Sequence, residues 1–156
     1  MKANPLAIVP ILLRAVRPSR TADMPAVANG FWLGKGYAAL TFFGTIITHS
    51  EQEAQRINRR FDALKNHEMI HLRQAQSTHD SWIVFYWKYL VFWLKGCRYR
   101  KRLKNAGYLL NPFEMEAYAN MYDLDYLKHK ENGTNEWRRY AAMSLEERLK
   151  LYKSKH

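Results

Sequence analysis

Hydrophobic positions change pattern twice along the chain. From Tyr37 to Thr48 the sequence reads Tyr-Ala-Ala-Leu-Thr-Phe-Phe-Gly-Thr-Ile-Ile-Thr, dense in aromatic and β-branched residues. Gly34 and Gly36 bound it on one side and His49-Ser50 on the other. This is the one strong strand signal, and Gly44 within it marks a bulge or hairpin bend. After it the apolar residues take helical spacing. Ser50-Glu51-Gln52-Glu53 is a capping box that starts a short helix through about Asn58. A second helix is expected from Leu64 to about Thr78.

The pattern then changes again. Trp82 to Leu94 is apolar except for Lys88. Such a run is too short to span a bilayer comfortably. A helix from Ser81 to Lys95 packed into the core is the simplest reading. The alternative is an interfacial helix, because Trp and Tyr favour that depth and cations follow at once: Lys95, Arg98, Arg100, Lys101, Arg102 and Lys104. Asn111-Pro112-Phe113-Glu114 opens a further helix to about His129, which Asn132-Gly133 ends. Ser144-Leu145-Glu146-Glu147 caps a last short helix. There are no internal repeats. The expectation is a single, mostly helical α+β domain over residues 31–156, with a small sheet near 37–48. An irregular Pro- and Ala-rich arm, residues 1–30, precedes it.

Composition narrows this a little. The 156 residues are 47% hydrophobic and 14% aromatic, enough for one modest core. The single cysteine, Cys97, excludes an internal disulfide framework and a Cys-based structural zinc site. The net charge of +11 draws the surface to polyanions: nucleic acid, anionic lipid or acidic substrates. Met1-Lys2 precedes an apolar run from Leu6 to Leu13, and Ala26-Val27-Ala28 resembles a signal-cleavage site. But Arg14, Arg17 and Arg20 lie between the two, so an arm packed on the domain or touching a membrane is expected instead of a secretion signal. The expected location is cytoplasmic or peripheral to a membrane.

The candidate chemistry lies in Lys65-Asn66-His67-Glu68-Met69-Ile70-His71-Leu72-Arg73-Gln74. On a helix, His67 and His71 are i and i+4, so both imidazoles project from one face and can share a metal. Glu68 stands beside that pair, where it reaches a water rather than the ion and can act as general base, then acid. A catalytic zinc needs a third protein ligand. A third His six residues on, with an intervening Gly, is missing, since Ser77 and Gln74 occupy those places. His79 could approach the same face but reads as a surface residue next to Asp80.

The other source is a later helix. Asn111-Pro112-Phe113-Glu114-Met115-Glu116-Ala117-Tyr118-Ala119-Asn120 offers Glu114 and Glu116. Residues two apart point about 200° apart on a helix, so only one can serve. Each has a small residue one turn on, Ala117 or Ala119. Glu114 also has a simpler job as the N3 partner of Asn111 in a capping box. Glu116 has Asn120 one turn on, a group able to hold a ligand histidine by its second nitrogen. The residues alone leave both open.

His-Glu-Met-Ile-His followed by a Glu-x-Glu-Ala helix resembles the gluzincin class of metallopeptidases. Within it, the arrangement is similar to the membrane-associated prenyl-protein-processing peptidases and the peptidases that cleave phage repressors. It is closer to small uncharacterised bacterial proteins with H-E-x-I-H-x-R-Q and F-E-x-E-A-Y, over His67–Gln74 and Asn111–Asn120. The resemblance implies a zincin fold and a Zn²⁺ held by His67, His71 and Glu114, the first Glu of the pair, in preference to Glu116. It implies hydrolysis of a peptide or protein substrate with Glu68 as general base. It also implies an edge strand over the metal, which Tyr37–Thr48 would supply. The oxyanion donor would be a Tyr, His or Arg; Tyr118 is the candidate and Arg73 a weaker one. Two other readings use the same residues: a non-hydrolytic zinc-bearing domain on an anionic membrane, and a basic nucleic-acid binder with structural histidines.

Overall fold

Phe43 and Gly44 both have positive φ, 45° and 77°, as a two-residue hairpin turn requires. In the computed structural model, which describes residues 17–29, 33 and 39–155, this turn joins two strands of a small sheet. Strand β1 is Ala26–Ala28, β2 is Ala39–Phe42 and β3 is Thr45–Thr48. Strands β2 and β3 pair antiparallel, with Phe42 opposite Thr45 and Ala39 opposite Thr48. The run expected as a strand is therefore a hairpin that bends at Gly44. Its first residues, Tyr37 and Ala38, lie outside the described residues, as does the apolar run Leu6–Leu13.

The strand order is β1-β3-β2, with β1 parallel to β3. This corrects the expected irregular arm, because its end is part of the sheet. Ala-Val-Ala is too short to signal a strand, and only pairing with β3 makes it one. On its other side Asn58 imitates a neighbouring strand. Its side chain accepts from the Ala26 N–H at 2.7 Å and donates to the Ala26 carbonyl at 2.9 Å.

The helices are α1 (Glu51–Arg59), α2 (Ala63–Ser77), α3 (Trp82–Cys97), α4 (Ala106–Leu109), α5 (Pro112–Asn120), α6 (Trp137–Ala142) and α7 (Leu145–Lys155). With the three-stranded sheet they make an α+β domain. Ser50 caps α1 and Ser144 forms a capping box with Glu147 at α7. Helix α2 starts at an Asp62 cap, which accepts from Lys65 N–H at 3.0 Å. Helix α2 runs through the middle of the molecule and buries residues on every side, many of them polar. Phe113 of α5 anchors the core beside it, its ring 4.8 Å from both Phe85 and Trp137. Burying one such ring stabilises by about 1.5–3 kcal/mol.

Helices α4 and α6 are not expected from the sequence, and two of the expected helices differ. Helix α5 stops at Asn120, not near His129. The Asn66 amide takes the carbonyls of Asn120, Met121 and Asp123 at 2.9–3.2 Å, bonds that a continuing helix would give to its own N–H groups. Asp123 then accepts from Asp125 N–H, a local turn bond that competes with helix. Helix α3 is not a wholly buried core helix. Trp82, Phe85 and Gly96 are buried, whereas Ile83, Trp87, Leu90 and Leu94 face outwards. Among the described residues no helix is long and apolar enough to cross a membrane.

Gly96 sets how closely α3 meets α4. A Cβ there would lie 2.8 Å from the Ala106 carbonyl and from the Gly107 Cα. Backbone on the far side cannot yield as a flexible side chain would. Gly96→Ala is expected to cost about 1–3 kcal/mol by overpacking, lowering the melting temperature by roughly 5 °C. An unchanged melting curve would contradict this close crossing.

Candidate metal centre

The helix α2 turn that carries the histidines is dry. His67, Glu68 and His71 are each about 5% exposed or less. Buried polar groups are costly unless they are paired, so what each atom meets is informative. The two Nε2 atoms face one another at 3.2 Å. Helix α5 brings Glu114 against both: Oε2 lies 3.3 Å from His67 Nε2 and Oε1 lies 3.5 Å from His71 Nε2. Glu114 does not complete a capping box; the Asn111 N–H bonds to the Tyr108 carbonyl, and Asn111 caps through Phe113 N–H. The carboxylate is left to face the histidines.

These separations match a metal site. A tetrahedral ion with bonds of about 2.0–2.1 Å holds its ligands about 3.3 Å apart. Here the two Nε2 atoms are 3.2 Å apart, and each has one oxygen of the Glu114 carboxylate at 3.3 or 3.5 Å, Oε2 for His67 and Oε1 for His71. Glu114 Oε2 is buried and its one close polar neighbour is His67 Nε2 at 3.3 Å, too poorly aligned for a good hydrogen bond, which suits a ligand atom. His67, His71 and Glu114 could thus hold a metal ion as a buried set.

The surroundings prepare the donors. Gln74 Oε1 lies 2.8 Å from His71 Nδ1. A carbonyl oxygen only accepts, so Nδ1 carries the proton and Nε2 keeps its lone pair for a metal. Gln74 is itself fixed, because its amide donates to the Phe113 carbonyl at 2.9 Å and to Glu116 Oε2 at 3.0 Å. The charges reinforce one another. Burial raises the Glu114 pKa, but His71 and His67 beside it outweigh this and bring it down to about 2. Burial opposes the charged form of His67, yet the Glu114 hydrogen bond and charge, with Glu68 beyond, hold its pKa above the ordinary value.

Glu116 has a different task. It is fully buried, and its carboxylate accepts from Gln74, from the Tyr126 hydroxyl at 2.8 Å and from the Trp137 N–H at 2.9 Å. It ties α5 to α2 and α6, and its oxygens do not join the histidine cluster. Asn120 does not hold a ligand histidine either; it donates back to the Glu116 carbonyl and to Glu136. Gln74 fills that role, and its position three residues after His71, on the same helical face, was the signal that could have found it.

Glu68 lines a pocket of about 340 Å³ together with His67, His71 and Glu114. Its carboxylate accepts from the Thr41 hydroxyl of β2. The pocket walls are largely apolar and aromatic, including Phe85, Tyr86 and Trp93 of α3, and β2 runs along one side. Tyr86 ties that strand to α3, donating to the Thr41 carbonyl and accepting from the Phe43 N–H.

Besides Tyr86, two further tyrosines line the pocket that no sequence pattern had marked. Tyr89 donates to Glu114 Oε1 at 2.8 Å, and Tyr108 faces the same space. Burial, and the nearby Glu114 charge, push the Tyr108 pKa up, so its hydroxyl keeps its proton. Tyr118, the expected oxyanion donor, stands outside the pocket lining. Its ring packs edge-on against His67, 4.7 Å between centroids, and its hydroxyl lies 2.9 Å from that of Tyr108. Arg73 points away, donating to Gln76 and to the Glu131 carbonyl. His79 is exposed, in a turn with φ of 61° beyond the end of α2, and lies outside the cluster. Compared with protein-family models, with curated proteins and with solved structures, the chain matches none.

Proposed function

We propose that the chain is a zinc-dependent peptidase of zincin type. The observation that carries this reading is one juxtaposition. Two histidines and Glu114 meet at the spacing of tetrahedral ligands, and a further carboxylate, Glu68, opens into the same pocket beneath the edge strand β2. His67, His71 and Glu114 would hold the zinc, a choice favoured by the two imidazole donors and the single carboxylate. Bound zinc lowers the pKa of water towards ~7 and polarises a carbonyl.

The chain's own groups account for the rest. Glu68 takes a proton from the attacking water and later delivers it to the leaving amine. Thr41 holds the Glu68 carboxylate at the angle this needs. Tyr89 holds the Glu114 carboxylate, and Tyr108, paired with Tyr118 on the pocket wall, is the hydroxyl that would turn to the developing oxyanion. Strand β2 has β3 on one side only among the described residues, so its other edge can pair with an extended peptide. The aromatic wall of α3 would receive an apolar side chain of that peptide.

The direct test is metal content of the purified protein, then cleavage of a quenched peptide library with and without a chelator. Protein that purifies without zinc and does not take it up would end this reading. A second outcome concerns Thr41. Thr41→Val keeps the shape and removes the hydroxyl, and is expected to lower kcat about tenfold with metal content unchanged. Thr41→Ser should restore it. Equal turnover in the valine variant would remove Thr41 from the mechanism.

A further inference from the structure

We propose that the outer face of α3 and the basic segment after it form a docking surface for an anionic lipid bilayer, with the helix lying in the headgroup plane. Ile83, Trp87, Leu90 and Leu94 recur at intervals of four, three and four residues, one stripe along the helix, about 16 Å long. Their exposures are 74%, 66%, 46% and 54%. Single exposed apolar residues are ordinary, whereas a continuous stripe of them marks a contact surface.

The charge beside the stripe says which contact. Lys95, Arg98, Arg100, Lys101, Arg102 and Lys104 are all exposed and continue directly from its end. From Ser81 to Phe113 the chain has no acidic residue. Arg102 is engaged with Glu146 of α7; the segment as a whole remains strongly cationic. A large aliphatic and Trp-rich face with cations at one end is what an anionic membrane surface takes up. Nucleic acid gains nothing from Ile83, Leu90 and Leu94. A second copy of the chain would bring its own basic segment against this one. The helix cannot span, so it lies on the surface.

The docked orientation reaches the pocket. Trp93, the neighbour of Leu94 in the stripe, lines the pocket while 40% exposed, and so does Leu40 of β2, also 40% exposed. Docking by α3 therefore sets the pocket mouth beside the bilayer. Resting on the hydrolytic reading above, the substrate is then a polypeptide segment at the membrane surface.

The test uses the full chain and flotation with phosphatidylcholine vesicles, with and without phosphatidylglycerol. Binding is expected with phosphatidylglycerol, weakly or not at all without it, and falling as salt rises. An Ile83→Ser, Trp87→Ser, Leu94→Ser triple variant should bind about a thousandfold more weakly, at roughly tenfold per side chain. Arg98→Glu, Arg100→Glu and Lys101→Glu together should lose about a hundredfold, at about fivefold per cation removed. Unchanged melting and metal content show that both variants fold. Cleavage of a soluble peptide, equal in wild type and both variants, separates loss of docking from loss of hydrolysis. The proposal is overturned if wild type does not float with phosphatidylglycerol at low salt, or if the serine variant floats as well as wild type. It is equally overturned if, with no flotation, the basic segment binds an RNA oligonucleotide or the stripe proves to hold a dimer together.

Discussion

Glu68→Gln is expected to keep its metal and to lose peptide hydrolysis by about a thousandfold in kcat. General acid–base groups contribute about 10²–10⁴-fold, and here one group serves both proton transfers. A thousandfold is about 4 kcal/mol of barrier. The substitution is close to neutral for the fold. The amide has the carboxylate's shape, and its oxygen can still accept from the Thr41 hydroxyl. Glu68 is not one of the three donors that meet at ligand spacing, so metal content should stay at the wild-type level. What the amide lacks is basicity, and that alone is removed. Parallel measurements of metal content, melting temperature and turnover on one preparation decide it. Wild-type turnover in Glu68→Gln would mean that water is activated elsewhere, and the proposed mechanism would be wrong.

The second large effect separates the two glutamates of α5. Glu114→Ala should lose stoichiometric metal, with affinity falling by more than the roughly 10–100-fold that a supporting hydrogen bond is worth. Glu116→Ala should do something else. It leaves the buried Trp137 N–H and one buried Gln74 proton without their acceptor, and with them the half-buried Tyr126 hydroxyl. Unsatisfied buried donors cost about 1–3 kcal/mol each, so a loss of about 3 kcal/mol or more is expected. For a chain of this size that lowers the melting temperature by roughly 10 °C. Metal is weakened only through Gln74 and His71, and Glu116→Gln should recover much of the stability. If Glu116→Ala lost metal completely while Glu114→Ala kept it, the roles assigned to the two carboxylates would be reversed.

The structure and the sequence agree best where the chemistry is local. The capping boxes at Ser50 and Ser144, the bend at Gly44 and the shared face of His67 and His71 each depend on residues within four positions of one another. They are legible because backbone geometry over one turn sets them. The overlong α5 shows the limit. Residues 121–129 contain good helix formers, but Asn66, on another helix, takes the carbonyls that would have continued it. Strand β1 shows the converse, since nothing in Ala-Val-Ala announces a strand until β3 and Asn58 bracket it.

The site divides in the same way. Tyr118 is expected from the sequence as the oxyanion donor, yet its ring packs against His67 and stands outside the pocket lining. Tyr89 and Tyr108 line the pocket instead, from helices whose own sequence is apolar packing and a short turn. Thr41 comes from a strand 27 residues before its partner Glu68.

The sequence by itself therefore determined the α+β class, most helix starts, and the His67–Glu68–His71 face, because one turn of helix places those side chains whatever surrounds them. Only the tertiary structure decided that Glu114 meets the histidines while Glu116 is locked by Gln74, Tyr126 and Trp137. It alone decided that α3 leaves Ile83, Trp87, Leu90 and Leu94 outside. Those outcomes depend on which way α5 and α3 are rotated against α2, and packing across the core sets that rotation, not any spacing along the chain.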